Sequence, residues 1–196
     1  MKSLISGLLL RHALVSLFIM VFSLMAASNL LAQTPVQTAL TIVLVRHAEK
    51  EVVPPENKDP NLSLAGQARA QEIARMFGGA SVTSIYATQY KRTQQTVKPL
   101  ADKLALTATI VEAQKTPELV KQIRASKPGE VIFLAGHNNS VPEIIAALGG
   151  PKMPIIPETE YDNLFILTMQ SDGSVKLLKM KYGSPLPSSG AGMEKP

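Results

Sequence analysis

Short apolar runs alternate with helix-forming segments along residues 41–182, and this alternation restricts the chain to few folds. Residues 41–45 (TIVLV), 82–87 (VTSIYA) and 130–135 (EVIFLA) are rich in β-branched or aromatic residues, which is typical of buried strands. The segments between them carry apolar residues near helical spacing and end at glycines. Strands separated by helices favour a parallel sheet covered on both faces. We therefore predict an α/β fold, a three-layer αβα sandwich.

The carboxyl-terminal part of this region departs from the alternation. Residues 163–169 and 175–182 are two strand-like runs, and the segment between them, Ser171-Asp172-Gly173-Ser174, is a hairpin signal. We expect an antiparallel hairpin at one edge of an otherwise mostly parallel sheet.

Residues 1–32 have the layout of a secretory signal peptide. Lys2 and Arg11 give a positive start, residues 13–25 form an uncharged apolar core, and small residues follow at 26–28. We expect this leader to be cleaved. The alternative is an uncleaved anchor, because the apolar stretch is long enough to span a bilayer as a helix.

The rest of the chain divides into three parts. Residues 33–40 are predicted to be a linker and residues 41–182 a single domain, a length that can bury a sizeable core. Residues 183–196 are rich in Gly, Ser and Pro and are predicted to be a flexible tail.

Charge and cysteine content exclude several classes of protein. The net charge of +5 falls to +3 without the leader, which is too weakly basic to indicate a nucleic-acid partner. The chain has no cysteine, so disulfides and thiol chemistry are excluded. We expect an exported protein of the bacterial periplasm with no membrane association after cleavage, or a membrane-anchored one if the leader is retained. The sequence does not predict an oligomeric state.

Two predicted strands each deliver a histidine at their carboxyl end, where open α/β sheets place their ligand sites. Arg46-His47 follows the predicted strand 41–45, and Gly136-His137 follows the predicted strand 130–135. Arg92 lies in the first turns of the helix that comes after the predicted strand 82–87. A neutral imidazole can attack phosphorus, and guanidinium groups bind phosphate oxygens and neutralise developing charge. Each residue taken alone also fits a structural or solvated role, but together they indicate one phosphate site.

Four motifs in order resemble the histidine phosphatase superfamily, branch 1, also called phosphoglycerate mutase-like. The matching stretches are Leu44–Lys50, Leu62–Ala68, Ile85–Thr96 and Ala135–Asn138. The resemblance covers about residues 41–182, and it implies a phosphoglycerate mutase-like fold.

The resemblance also implies roles for the site residues. His47 would be the nucleophile that becomes a phosphohistidine, and Arg46, Arg92 and His137 would bind the phosphate, with His137 also counted as catalytic. The protein would be a cofactor-independent phosphatase that hydrolyses a small phosphomonoester or phosphoramidate. We expect the attacking nitrogen of His47 to be unprotonated, with the proton of its other nitrogen donated to a backbone carbonyl in the following loop.

The proton donor for the leaving group is the least constrained part of this hypothesis. Family members resembling this chain usually supply a glutamate after the third strand. Residues 107–111 (TATIV) are predicted to be this strand, and Glu112 follows it directly. Glu118, Asp59 or no dedicated acid are the alternatives.

Two other functions are compatible with the same residues. One is a catalytically weak protein of the cell envelope that binds phosphorylated ligands, and the other is a phosphoglycerate-type mutase. No metal site is predicted, because two histidines and no cysteine in the predicted domain do not supply the usual zinc ligands without recruiting carboxylates.

Overall fold

The computed structural model describes residues 39–183. The predicted leader and the tail from residue 184 onward lie outside the described residues. The first strand begins at Ala39, inside the segment predicted to be a linker, because Ala39 pairs with Gln170 and Leu40 is buried in the core.

The described residues contain one mixed sheet of six strands, in the order β3-β2-β4-β1-β5-β6. The first four of this order are parallel to one another, and β5 and β6 form the predicted antiparallel hairpin at one edge. The strands are β1 (Ala39–Arg46), β2 (Ser84–Thr88), β3 (Thr109–Val111), β4 (Val131–Gly136), β5 (Asn163–Gln170) and β6 (Val175–Lys181).

Four helices of the described region cover the two faces of the sheet. They are α1 (Leu64–Phe77), α2 (Lys91–Leu104), α3 (Thr116–Arg124) and α4 (Ser140–Ala147). Helices α1 and α2 pack on one face, and α3 and α4 pack on the other. This is the predicted three-layer αβα arrangement.

The residues of β1 show how the sheet divides the core. Leu40, Ile42 and Leu44 belong to the cluster shared with α3 and α4, whereas Val43 and Val45 belong to the cluster shared with α1 and α2. Side chains alternate across a strand, so a run of apolar residues supplies both faces at once. The continuous apolar run in the sequence therefore corresponds to a strand buried on both sides.

Helix α1 is fastened to the chain just after β1. The Ser63 hydroxyl accepts a hydrogen bond from the Gly66 amide at 3.2 Å, which satisfies one free donor of the first turn. The Ser63 amide in turn donates to the Glu49 carbonyl oxygen at 2.9 Å. The start of the helix is thus tied to the segment that follows the first strand. Between residues 39 and 183, no helix has the length and apolar character needed to cross a membrane.

Candidate active site

The two histidines predicted to share a site lie side by side at the carboxyl edge of the sheet. Strands β1 and β4 are parallel neighbours, and Arg46 is paired with Gly136 at their ends. The His47 amide donates to the Gly136 carbonyl oxygen at 2.9 Å, and His137 is the next residue of the other strand. The ring centroids of His47 and His137 are 5.5 Å apart, with the rings edge to face.

His47 is held as a neutral imidazole with one nitrogen available. Its side chain is buried, and its Nδ1 lies 2.8 Å from the Ala48 carbonyl oxygen, to which it donates. Burial, together with the nearby charges of Arg46 and Arg92, lowers the pKa of His47 to about 3 against the opposing effect of the Ala48 hydrogen bond. Its Nε2 makes no hydrogen bond within the described residues. A neutral imidazole with its proton fixed at Nδ1 carries its lone pair at Nε2.

His137 is fixed by contacts on both its ring and its backbone. Its Nε2 lies 3.0 Å from the Thr88 hydroxyl at the end of β2, and the Tyr90 ring meets it edge to face at 5.3 Å. Its amide donates to the Ser140 hydroxyl at 2.9 Å. Burial lowers the pKa of His137 to about 4, together with the positive charge of nearby guanidinium groups. This imidazole is therefore also neutral at physiological pH when the site is empty.

Arg46 is buried to 1% exposure and holds the segment that precedes β5. Its Nη1 donates to the carbonyl oxygens of Pro157 at 2.8 Å and Glu160 at 3.2 Å, and its Nη2 donates to the Glu158 carboxylate. The guanidinium carbon lies 4.2 Å from the centre of the Tyr161 ring. Its Nε is buried and has no hydrogen-bond partner within the described residues.

Arg92 approaches the same site from the first turn of α2. Its guanidinium stacks on the Tyr90 ring at 4.3 Å, and its Nη1 lies 3.4 Å from the Lys58 carbonyl oxygen and 3.8 Å from an Asp59 oxygen. Burial lowers the pKa of Arg92, although a guanidinium remains charged at any physiological pH. Its Nε is also buried without a partner in the described part of the chain. Two guanidinium groups thus each keep an unsatisfied donor beside the histidine pair.

The four predicted residues line one open pocket of about 460 Å³, a size that suits a small ligand. Its wall consists mostly of polar side chains and includes three cationic ones, Arg46, Lys50 and Arg92. The lining residues are Arg46, His47, Lys50, Tyr90, Arg92, Ala113, Gln114, Thr116, His137, Asn138, Asn139, Glu143 and Glu158. Among the described residues, no three His, Cys, Asp or Glu side chains lie close enough together to hold a metal ion.

A known protein family matches the part of the chain that carries Arg46, His47 and Arg92. Residues 42–119 match the sequence model of the histidine phosphatase superfamily, branch 1. Over these residues the chain is similar to that superfamily. A comparison with curated proteins finds no significant match.

Solved structures of histidine phosphatases share the fold of this chain at low sequence identity. The protein histidine phosphatase SixA, solved with tungstate, is 15% identical, with a TM-score of 0.58 and coverage of 72% of this chain and 96% of SixA. An Agrobacterium tumefaciens protein named as the phosphohistidine phosphatase SixA is 20% identical, with a TM-score of 0.56 and coverage of 74% and 99%. Mycobacterial glucosyl-3-phosphoglycerate phosphatase is 15% identical, with a TM-score of 0.54 and coverage of 75% and 100%.

The acids considered as proton donors in the sequence analysis do not enter the pocket. Glu112 is exposed and lies 3.4 Å from the Lys115 ammonium, and although Ala113 beside it lines the pocket, Glu112 does not. Glu118 is exposed on α3 and is also absent from the wall. Asp59 accepts a hydrogen bond from the Lys91 amide and faces Arg92. The assignment of Glu112 as proton donor therefore gains no support from its position.

Two pocket carboxylates, Glu143 and Glu158, were missed by reasoning from the sequence. Glu143 lies in the first turn of α4, immediately after the predicted His137 motif, so helix spacing could have indicated it. Glu158 lies in the segment 150–160, whose composition carries no signal of the contact with Arg46. Tyr161 stacks on that arginine and lies 6.0 Å from the His47 ring.

Proposed function

We propose that this protein is a phosphatase that hydrolyses a small phosphomonoester or phosphoramidate through a phosphohistidine on His47. The observation that carries the proposal is the state of this imidazole. Its Nδ1 proton is held by the Ala48 carbonyl, and its Nε2 has no hydrogen-bond partner in the described region. The buried guanidinium of Arg46 and the partly buried one of Arg92 line the same pocket. An unprotonated nitrogen next to fixed positive charge can attack a bound phosphoryl group.

The two unsatisfied guanidinium nitrogens support an anion as the ligand. A buried N–H without a partner costs roughly 1–3 kcal/mol, so Arg46 and Arg92 together favour whatever supplies oxygen acceptors. Oxygens of one phosphoryl group bound in the pocket would accept charge-assisted hydrogen bonds from the guanidinium groups that line it. The same cations would offset the charge that builds up on these oxygens in the transition state.

The Ala48 contact also makes the proposed intermediate reactive. When Nε2 bonds to phosphorus, the proton on Nδ1 stays in place and the ring becomes positively charged. The Ala48 carbonyl oxygen, 2.8 Å away, stabilises this charge without removing the proton. A positively charged imidazole is a good leaving group, so water can then take the phosphoryl group.

The experiment that tests this function compares the protein with His47→Asn. The asparagine amide can still donate to the Ala48 carbonyl but offers no nucleophile. The wild type should release nitrophenol from para-nitrophenyl phosphate and yield an acid-labile phosphoprotein on rapid quenching. The variant should do neither while keeping its unfolding temperature. Turnover that survives His47→Asn would contradict the mechanism.

A phosphate-binding protein of low activity is the second candidate, because Glu112 lies outside the pocket. Tight binding of inorganic phosphate by the wild type, without nitrophenol release, would favour it.

We also propose that the protein is exported, since residues 1–32 have signal-peptide features. Recovery of a processed chain from the periplasm would test this. Structural neighbours at 15–20% identity define the fold, so the substrate must be found by screening phosphorylated metabolites.

A further inference from the structure

Glu158 is the pocket carboxylate that contacts the phosphate-binding residues directly. One of its oxygens accepts a hydrogen bond from Arg46 Nη2 at 2.5 Å, and the other accepts one from the Asn138 side-chain amide at 2.7 Å. Both donors line the same pocket as His47. A carboxylate on a buried guanidinium occupies a position suited to a ligand oxyanion.

The backbone around Glu158 is held by hydrogen bonds, whereas its side chain is exposed to solvent. Arg46 Nη1 holds the carbonyl oxygens of Pro157 and Glu160, and the buried Ile156 donates its amide to the Asn138 carbonyl oxygen at 3.0 Å. The side chain at position 158 is 70% exposed. The guanidinium is buried but the carboxylate is solvated, so the carboxylate can move into water when a ligand replaces it on Arg46.

We propose that Glu158 is the general acid that protonates the leaving group, an inference that rests on the phosphatase function proposed above. Glu158 contacts Arg46 through one oxygen, whereas a phosphoryl group can bind a guanidinium through two, so substrate would displace the carboxylate from Arg46. The displaced carboxylate then lies beside the bound phosphoryl group and can accept a proton from it. The monoanion of a phosphomonoester, whose last proton has a pKa of about 6, brings that proton into the pocket.

The reaction then balances in two steps. In the first, the bond between phosphorus and the leaving oxygen breaks as His47 Nε2 bonds to phosphorus, and the Glu158 carboxyl proton passes to that oxygen to release the alcohol. In the second, the Glu158 carboxylate takes a proton from water as the water oxygen bonds to phosphorus. The bond between Nε2 and phosphorus breaks, and its electron pair returns to the imidazole. Phosphate leaves, and the carboxyl proton leaves with it.

A leaving-group comparison in Glu158→Gln tests this assignment. Glycerol phosphate releases an alkoxide that needs a proton, whereas para-nitrophenyl phosphate releases a phenolate that does not. General acid catalysis contributes about 10²–10⁴-fold, so kcat/KM for glycerol phosphate should fall by about 100-fold or more. The value for para-nitrophenyl phosphate should change by less than about threefold. If Glu158 donates the proton, kcat/KM of the wild type should depend on pH differently for the two substrates. In the variant, the two pH profiles should have the same shape.

The matched control is Glu160→Gln in the same segment. The Glu160 carboxylate bonds to Asn163 and Lys181 instead of the pocket, so the ratio of the two substrates should keep its wild-type value. An equal fall for both substrates in Glu158→Gln would mean that this side chain only positions phosphate, and an equal rise would mean that it only competes for Arg46. Either result overturns the inference, as would a leaving-group effect that follows Glu112→Gln instead. Absence of wild-type turnover with para-nitrophenyl phosphate would overturn the phosphatase function itself, and this inference with it.

Discussion

Gly66 lies where helix α1 crosses the segment after β1, and replacing it with alanine should destabilise the domain. A Cβ at this position would overlap the Glu49 carbonyl oxygen and lie 3.0 Å from both the carbonyl carbon and the amide nitrogen of Glu49. These are backbone atoms, which cannot rotate away as a flexible side chain would. In an exposed helical position the same change would stabilise by about 1 kcal/mol, so the sign of the effect measures the crowding.

The magnitude follows from what must move. Overpacking of a filled site costs roughly 1–3 kcal/mol. Shifting α1 would also strain the Ser63 cap on the Gly66 amide and the bond from the Ser63 amide to the Glu49 carbonyl oxygen, each worth about 1 kcal/mol. After the propensity gain is subtracted, Gly66→Ala should lower the free energy of unfolding by about 2–3 kcal/mol, which is roughly 5–10 °C in Tm for a domain of this size.

Urea denaturation measures the effect, and Gly79→Ala is the matched control. Gly79 has open space where a Cβ would stand, so its substitution should change the free energy of unfolding by less than about 0.5 kcal/mol. Gly66→Ala should also reduce turnover in the folded protein, because Glu49 follows Ala48, whose carbonyl fixes His47. A Gly66→Ala protein as stable as the wild type would show that the crowding argument is wrong.

Two further predictions concern buried charge. His47 and His137 have pKa values of about 3 and about 4, so between pH 6.5 and about 4 the unfolded chain binds protons that the folded chain excludes. Stability should therefore fall as pH falls through this range, by up to about 1.4 kcal/mol per pH unit for each histidine, and asparagine at both positions should flatten the urea midpoint against pH. Glu49, which accepts three hydrogen bonds from buried Arg69, should cost about 3 kcal/mol of unfolding free energy when changed to Gln, whereas the exposed Glu72→Gln should change it little. An equal response of these two variants in urea would argue against the importance of burial.

The architecture and half of the site were predictable from local patterns. Apolar β-branched runs separated by helical segments require a parallel sheet, and the carboxyl ends of adjacent parallel strands meet at one edge. His47 and His137 are each one residue past such an end, so their proximity follows once β1 and β4 are neighbours. Arg92 follows the strand on the other side of β4, which brings it to the same edge.

The proposed acid, Glu158, could not be found in this way, because its position depends on strand order and not on local sequence. The strand before Glu112 is at the edge of the sheet, separated from β1 by two other strands. The hairpin strand β5 pairs antiparallel with β1, with Leu164 opposite Val45, so the residues entering β5 arrive beside His47. The sequence by itself determined the sheet, its hairpin and the two histidine-bearing strand ends, since these depend on neighbouring residues. Only the tertiary structure decided that Glu158, more than a hundred residues beyond Arg46, would provide the carboxylate at that guanidinium, because antiparallel pairing across the sheet sets which loop lies over the site.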